Sequence, residues 1–329
     1  MKKLPGLFFL TFVLITVLLS GCNSASTPSP AVYKPVKVIA EWNKTLPEGI
    51  AFGFGSAWVP GHRDPRNTIR IDPNTNQVTA TIDSTGSLAI SILVAGDYVW
   101  VAGQNDDMSK IDPKTNMIVA RVTGTHTFLA YAFGSIWSTT SEGEGRLDRI
   151  DPETAKIVTS IDLGTGHPEN LNPVVATANA LGVLNPDGTE LIKIDPTTNA
   201  IVSKTLYTGL IKQAKLQTAQ PQGKGTDFVW LVTTDPDNPQ DCGLLQIDPS
   251  MTKGLAFWPV GVDCNPPTVT EKSIWLSGNA QIDRFNLAAN KIDATYQVQN
   301  GASAVGIGFG SVWVLYEEPG IIQRLDITP

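Results

Sequence analysis

Three histidines, His62, His126 and His167, are the residues of this chain best suited to moving a proton near neutral pH, because an imidazole titrates there. They stand among short stretches rich in carboxylates: Asp64; Asp106 and Asp107; Glu142 and Glu144; Asp187 and Glu190; Asp235, Asp237 and Asp241; Glu317 and Glu318. Only Arg63, Arg66 and Arg146 oppose these twelve acids locally. Such a concentration suits a cation, a polyamine or a basic partner. "DPDNPQD", with Asp235, Asp237 and Asp241, offers oxygen ligands for a divalent cation, Ca²⁺ or Mg²⁺, without the full twelve-residue EF-hand arrangement. Solvated loops are polar in any protein, and that plain reading stands beside the ligand-binding one.

Other chemistries are not written here. No Gly-Xaa-Ser-Xaa-Gly elbow and no Cys-Xaa-Xaa-Cys pair occurs. "GKGT" at Gly223 lacks the rest of a phosphate-binding loop. There is no Cys-Xaa-Xaa-Cys-His for haem attachment.

The elements that must position these residues repeat. "IDPNTNQVTATI" from Ile71 recurs as "IDPKTNMIVARV" from Ile111, "IDPETAKIVTSI" from Ile150, "IDPTTNAIVSKT" from Ile194 and "IDPSMTKGLAFW" from Ile247. Degenerate copies start at Phe285 and Leu325. Trp58, Trp100, Trp137, Trp230, Trp275 and Trp313 mark a second anchor upstream of six of the seven; the fourth reads "ALGVL" instead. Each repeat of roughly 40 residues holds four short Val-, Ile- and Thr-rich runs bounded by Gly, Pro, Asn and Asp, which are strands and turns. The fold class is therefore all-β: a seven-bladed β-propeller of four-stranded blades. "DPxTN" is the turn between third and fourth strands, so Asp72, Asp112, Asp151, Asp195 and Asp248 are turn formers rather than a carboxylate array. The tryptophans are core.

The seventh repeat supplies three strands before Pro329, and "KPVKVIAEWN", Lys34 to Asn43, alternates as a fourth strand with no blade of its own. It is expected to pair with the last strand and close the ring. Loops between second and third strands and the connectors between blades then share one axial face, which gathers the histidines, the acidic stretches, and both Cys242 and Cys264. The pair of cysteines left after the first suggests one bridge, beside the long insertions that flank the fifth blade.

Upstream, Lys2 and Lys3 precede an apolar run from Leu4 to Leu19, an order that reads as an export signal. Leu19-Ser20-Gly21-Cys22 resembles a bacterial lipobox, which implies cleavage before Cys22 and lipid on that cysteine. Residues 1–21 are thus expected to be a signal peptide, 22–33 a flexible tether rich in Ser, Pro and small residues, and 34–329 the propeller, held outside the cytoplasm on the cell membrane or an outer membrane. Without Lys2 and Lys3 the chain carries 22 basic and 31 acidic residues, a formal charge of −9. Nucleic acid is thereby excluded as a partner, and so is charge-driven docking on anionic lipid.

"GSVWV…IQRLDIT" and "GSAWV…TIRIDPNTNQVTATI" resemble the YVTN/NHL-type and streptogramin-lyase-like (virginiamycin B lyase-like) propellers, over about residues 34–329. The lyase resemblance implies an elimination carried by histidines on adjacent blades, a carboxylate and Mg²⁺. His126 and His167, 41 residues apart, are its candidates, with Glu142 or Glu144 as the carboxylate. The chain departs from that pattern: "PEN" follows His167, and "STTSEGEG" follows Trp137. The primary expectation is a binding or scaffolding module that takes a protein or small ligand on its acidic axial face. On that face stand His62, Arg63, Asp106, Asp107, His126, Glu142, Glu144, His167, Asp235, Asp237, Glu317 and Glu318. A metal-dependent lyase or related hydrolase is the alternative.

Overall fold

The computed structural model describes residues 33–43, 49–61, 67–84, 89–103, 107–140, 145–165, 174–188, 190–206, 217–218, 228–234, 242–260, 265, 267–278 and 280–327. They form seven sheets arranged as the blades of a β-propeller. Blade one runs outward from the axis as Ala51–Gly53, Ser56–Pro60, Thr68–Asp72 and Gln77–Ile82, with each neighbouring pair antiparallel. Blades two to six repeat this order.

The burial pattern follows from position in the blade. The second strand is sandwiched between adjacent blades, and Ser56–Pro60, Ser135–Thr139 and Ser311–Tyr316 are buried at every residue. The fourth strand faces solvent on one side, so Gln77–Ile82 and Met117–Val122 alternate exposed and covered positions. Apolar side chains gather into seven clusters, each shared by two neighbouring blades. The seventh joins Trp313, Leu315 and Ile322 of blade seven to Ala57, Val59 and Ile71 of blade one. The core is thus a ring of interfaces rather than one central mass.

Closure follows the sequence expectation with one amendment. Val38–Asn43 pairs antiparallel with Ile321–Leu325 as the outer strand of blade seven. Trp42 stacks on Trp313 with centroids 5.3 Å apart and planes 8° from parallel. The amendment lies just upstream. Tyr33–Lys34 is not part of that strand but pairs in parallel with Thr295 and Tyr296, adding a fifth strand to blade six. Among the described residues strand pairing therefore begins at Tyr33, the last residue of the stretch expected to be tether, and residues 33–43 bridge two blades.

A repeated clasp joins blades to one another. In blade one, Arg70 lies over the Trp58 ring at 4.7 Å and its Nε donates to Ser56 Oγ at 2.8 Å. Its Nη1 reaches the turn of blade two, donating to the Pro113 carbonyl at 2.6 Å and to Asn116 Oδ1 at 2.9 Å. Arg149 repeats this from blade three to blade four through Pro196 (2.8 Å) and Asn199 (2.9 Å). Lys110 joins blade two to blade three through the Glu153 carbonyl at 2.7 Å. Arg324 of blade seven clasps Pro73 and Asn76 of blade one, fastening the ring where the last sheet meets the first.

The "DPxTN" turn is built to receive the clasp. Asp72 accepts the Asn74 N–H at 2.8 Å, and that bond holds its carboxyl below the usual carboxylate range. Asn76, Asn116 and Asn199 all sit at φ 58, a left-handed position that Asn tolerates. The Asn side chain is thereby left free to accept the arginine.

Blade four shows how a missing anchor is replaced. Gly182 occupies the tryptophan register opposite Lys193, and a Cβ built there would fall 2.7 Å from Met251 Sδ. The Met251 thioether, from the turn of blade five and fully buried, takes the space of the absent indole.

Removing the closing clasp should be measurable. Arg324→Ala deletes charge-assisted bonds across the blade seven–one junction, which costs about 2 kcal/mol. That corresponds to a fall of several degrees in the thermal midpoint. Arg324→Lys, which keeps the charge but not the fork, should fall in between, read by circular-dichroism melts.

Candidate functional site

Strand order puts the loops after each second strand and the connectors between blades on one face. Much of the acidic set expected there lies outside the described residues: His62, Arg63, Asp64, Asp106, Glu142, Glu144, His167, Asp235, Asp237 and Asp241, with Cys264 and the lipobox Cys22. The face is therefore built here from what is described: Asp107, His126, Arg146, Asp187, Glu190, Glu317 and Glu318.

His126 is the decisive residue. The sequence places it in the connector from blade two to blade three, on the axial face. The connector is where it lies, but it is fully buried. Two threonines fix the chain around it. Thr127 N–H and Oγ1 both reach the Thr139 carbonyl, at 2.9 and 3.0 Å, tying the connector to the second strand of blade three. Asp107 Oδ1 accepts the Gly124 N–H at 3.1 Å and ties it to blade two. Gly124 has φ 115, and a Cβ there would stand 3.8 Å from His126 Nε2. The ring is thus folded inward between two blades, with the Thr123 backbone beside it, and among the described residues neither Nδ1 nor Nε2 makes a hydrogen bond of good geometry.

Burial lowers the His126 pKa; Asp148 and the nearby Thr123 backbone oppose this, Arg146 adds to it, and Asp107 opposes it weakly. The imidazole is neutral at pH 7, as a general base would need, but its nitrogens have no solvent access. Asp148 was not legible as a site residue. It sits on the third strand of blade three, fully buried, held by Arg146 Nε at 3.0 Å and Nη2 at 3.4 Å.

The position of Asp148 recurs, which is the signal that would have found it. Three residues before the turn acid, or its Asn replacement in blade six, the chain places Ser109, Asp148, Asp283 and Gln323, all buried, in blades two, three, six and seven. Each is satisfied locally. Ser109 receives Arg121 at 2.9 Å, and Asp283 receives Thr295 at 2.6 Å and Gln281 at 3.0 Å. Gln323 receives Tyr316 at 2.9 Å and donates to Glu41 at 2.7 Å. Burial raises the Asp283 carboxyl and pushes the Tyr316 hydroxyl up to about 12. Among the described residues no group of three His, Cys, Asp or Glu stands close enough together to hold a metal ion. Cys242, 6% exposed at the start of the third strand of blade five, is not a free thiol.

A cavity of about 540 Å³ opens elsewhere, between the N-terminal segment and blades six and seven, lined by Tyr33, Lys34, Val36, Gln297, Gln299 and Gln323 among others. None of the expected site residues lines it.

No protein-family model matches this sequence, and no curated protein matches it. Solved structures do. BamB from Moraxella catarrhalis superposes with a TM-score of 0.55 at 15% identity, covering 85% of this chain and 84% of that one. Hydrazine synthase from Kuenenia stuttgartiensis gives a TM-score of 0.68 at 12% identity, over 88% of this chain and 97% of that one. The chain shares the propeller fold with both. At these identities the likeness carries architecture and no activity.

His126 sets a pH test. Its folded pKa lies below the unfolded 6.5, so on acidification the unfolded chain binds the proton first. Stability from this residue is complete above about pH 6.5 and is lost as pH falls toward the folded value. His126→Leu should melt at or above the parent temperature at pH 7.5, because no satisfied hydrogen bond is removed. It should also lose part of the parent's decline between pH 7 and 5.

Proposed function

We propose that this protein is an exported, lipid-anchored propeller that works as a binding module, taking a protein or small ligand at the face where the blade connectors emerge. The burial of His126 carries the choice over the lyase alternative. A general base must reach the proton it removes, and this imidazole is sealed between blades two and three. The same connector is pinned on both sides, by the Asp107 carboxylate and by the Thr139 carbonyl, which gives a rigid floor beneath loops free to vary. Glu317 and Glu318 stand at that face with a pronounced acidic loop set around them in sequence, suited to a cationic partner or a divalent cation. We further propose that Cys242 pairs with Cys264 and staples the rim beside blade five. Lipid on Cys22 would hold the propeller at a membrane through the 22–32 segment.

Two measurements test this. Cys22→Ser should abolish incorporation of labelled palmitate and move the protein from the membrane to the soluble fraction. Retention on the membrane without label would refute the anchor. A melt of chelator-stripped protein with and without Mg²⁺, Ca²⁺ or Mn²⁺ separates the readings of the acidic face. A cation at 100 times its dissociation constant adds roughly 2.7 kcal/mol to the folded state. A rise of several degrees that His126→Leu abolishes would bring the lyase reading forward; no rise leaves the face as a docking surface for a basic partner.

A further inference from the structure

Closing the ring requires only the outer strand Val38–Asn43 of blade seven. The chain does more before it reaches that strand. Tyr33 and Lys34 first pair in parallel with Thr295 and Tyr296 at the outer edge of blade six, and residues 35–37 then cross to blade seven. The crossing is fastened. Val36 packs on the apolar cluster shared by blades six and seven, and the Lys37 carbonyl accepts the Asp326 N–H at 2.8 Å. Pro35 fixes φ within the crossing and brings no N–H that needs a partner. This strap borders the cavity of about 540 Å³, a volume within the range of small-molecule sites.

The polar lining is mostly carboxamide. Gln323 is its buried member, 3% exposed. Its Oε1 receives the Tyr316 hydroxyl at 2.9 Å and its Nε2 donates to Glu41 at 2.7 Å. Those bonds fix the amide and, among the described residues, leave one N–H and one lone pair for a further partner. Gln297 and Gln299 are exposed, and among the described residues their side chains make no hydrogen bond. Val298 between them packs on the same cluster as Val36, so apolar surface lies beside the amides. The Tyr33 ring, 46% exposed, adds an aromatic face, and its hydroxyl donates to Gln281 Oε1 at 3.3 Å.

The lining selects against most ligand classes. Among the described residues Lys34 is its one charged side chain. That ammonium lies 5.8 Å from the centre of the Tyr296 ring and within electrostatic reach of Asp293. A cationic ligand finds no carboxylate in the lining, and an anionic one finds a single ammonium already engaged, on a chain of formal charge −7. A wholly apolar ligand would strip water from the amides and return no hydrogen bonds. A peptide strand would seek main-chain partners, and the edge of blade six beside the cavity is taken by Tyr33–Lys34. A carboxamide both donates and accepts, which matches neighbouring hydroxyls that do the same. We infer that the cavity under the 33–38 strap binds a neutral saccharide, with Gln297, Gln299 and Gln323 bonding its hydroxyls and the Tyr33 ring, Val36 and Val298 facing its C–H surface. The site is separate from the acidic loops of the connector face and does not rest on their reading.

The test uses the full-length protein and calorimetry with four neutral disaccharides: maltose, cellobiose, lactose and diacetylchitobiose. Two charged disaccharides of similar size, digalacturonate and the glucosamine dimer, are the comparison. The proposal expects at least one neutral disaccharide to bind with a Kd below about 1 mM, and both charged ones to bind at least fivefold more weakly. Gln297→Ala/Gln299→Ala should weaken the neutral ligand at least tenfold while leaving the thermal midpoint unchanged, because neither side chain is bonded within the fold. Failure of all four neutral disaccharides to bind overturns the proposal. So does a charged disaccharide that binds as tightly, or a double variant that binds unchanged. Loss of binding in Glu317→Lys/Glu318→Lys but not in the glutamine variant places the sugar on the connector face and refutes the cavity.

Discussion

The contact on which the ring most depends is the bond from a strand arginine to the turn of the next blade. It solves a problem particular to propellers: adjacent sheets share side chains but no backbone hydrogen bonds, so nothing in their ladders fixes the angle between them. Apolar packing is tolerant of small rotations, whereas a guanidinium held over Trp58 and bonded to both Pro113 and Asn116 is not. Because the acceptor includes a carbonyl and an Asn amide on a turn stiffened by Asp, each blade reads the position of its successor. Arg324 applies the same device across the junction where the two ends of the propeller meet, alongside the Trp42–Trp313 stack.

Clasped blades and relaxed blades divide the molecule. In blades seven, one, two and three the arginine or lysine reaches the following turn. In blade six the equivalent Arg284 turns back to Asp293 of its own outer strand, at 2.8 Å. Among the described residues Trp230 and Trp275 of blades five and six find no partner for their indole N–H groups, whereas Trp58, Trp137 and Trp313 each donate to a first-strand carbonyl at 3.1 Å. Blade six gains cover from a different source, the added Tyr33–Lys34 strand. The long insertions also fall around blade five. Loop variation and weakened repeat chemistry therefore share one side of the ring.

His126 and Asp148 show a different use of polarity. A neutral imidazole without a well-formed hydrogen bond among the described residues and a buried carboxylate held by one arginine both cost stability. Their neighbours at the same register, Asp283 and Gln323, are better satisfied. These groups lie inside the blade interfaces and not on the surface, so they act on how the blades pack near the connector face.

The sequence by itself determined the propeller, because four short strands and a "DPxTN" turn every 40 residues leave no other way to bury seven sets of apolar faces. It determined the closing strand as well, since an unpaired alternating segment matched a blade lacking one. The roles of the turn aspartates and tryptophans were also legible, each following from local geometry that repetition makes visible. Only the tertiary structure decided the rest. That Arg70, Arg149 and Arg324 reach the next blade depends on the angle between sheets, which no strand encodes alone. That His126 points inward depends on two anchors, Asp107 and Thr139, brought together from different blades. That Phe52 meets Phe309 depends on ring closure, because residues from the first and last blades become neighbours only when the last sheet meets the first.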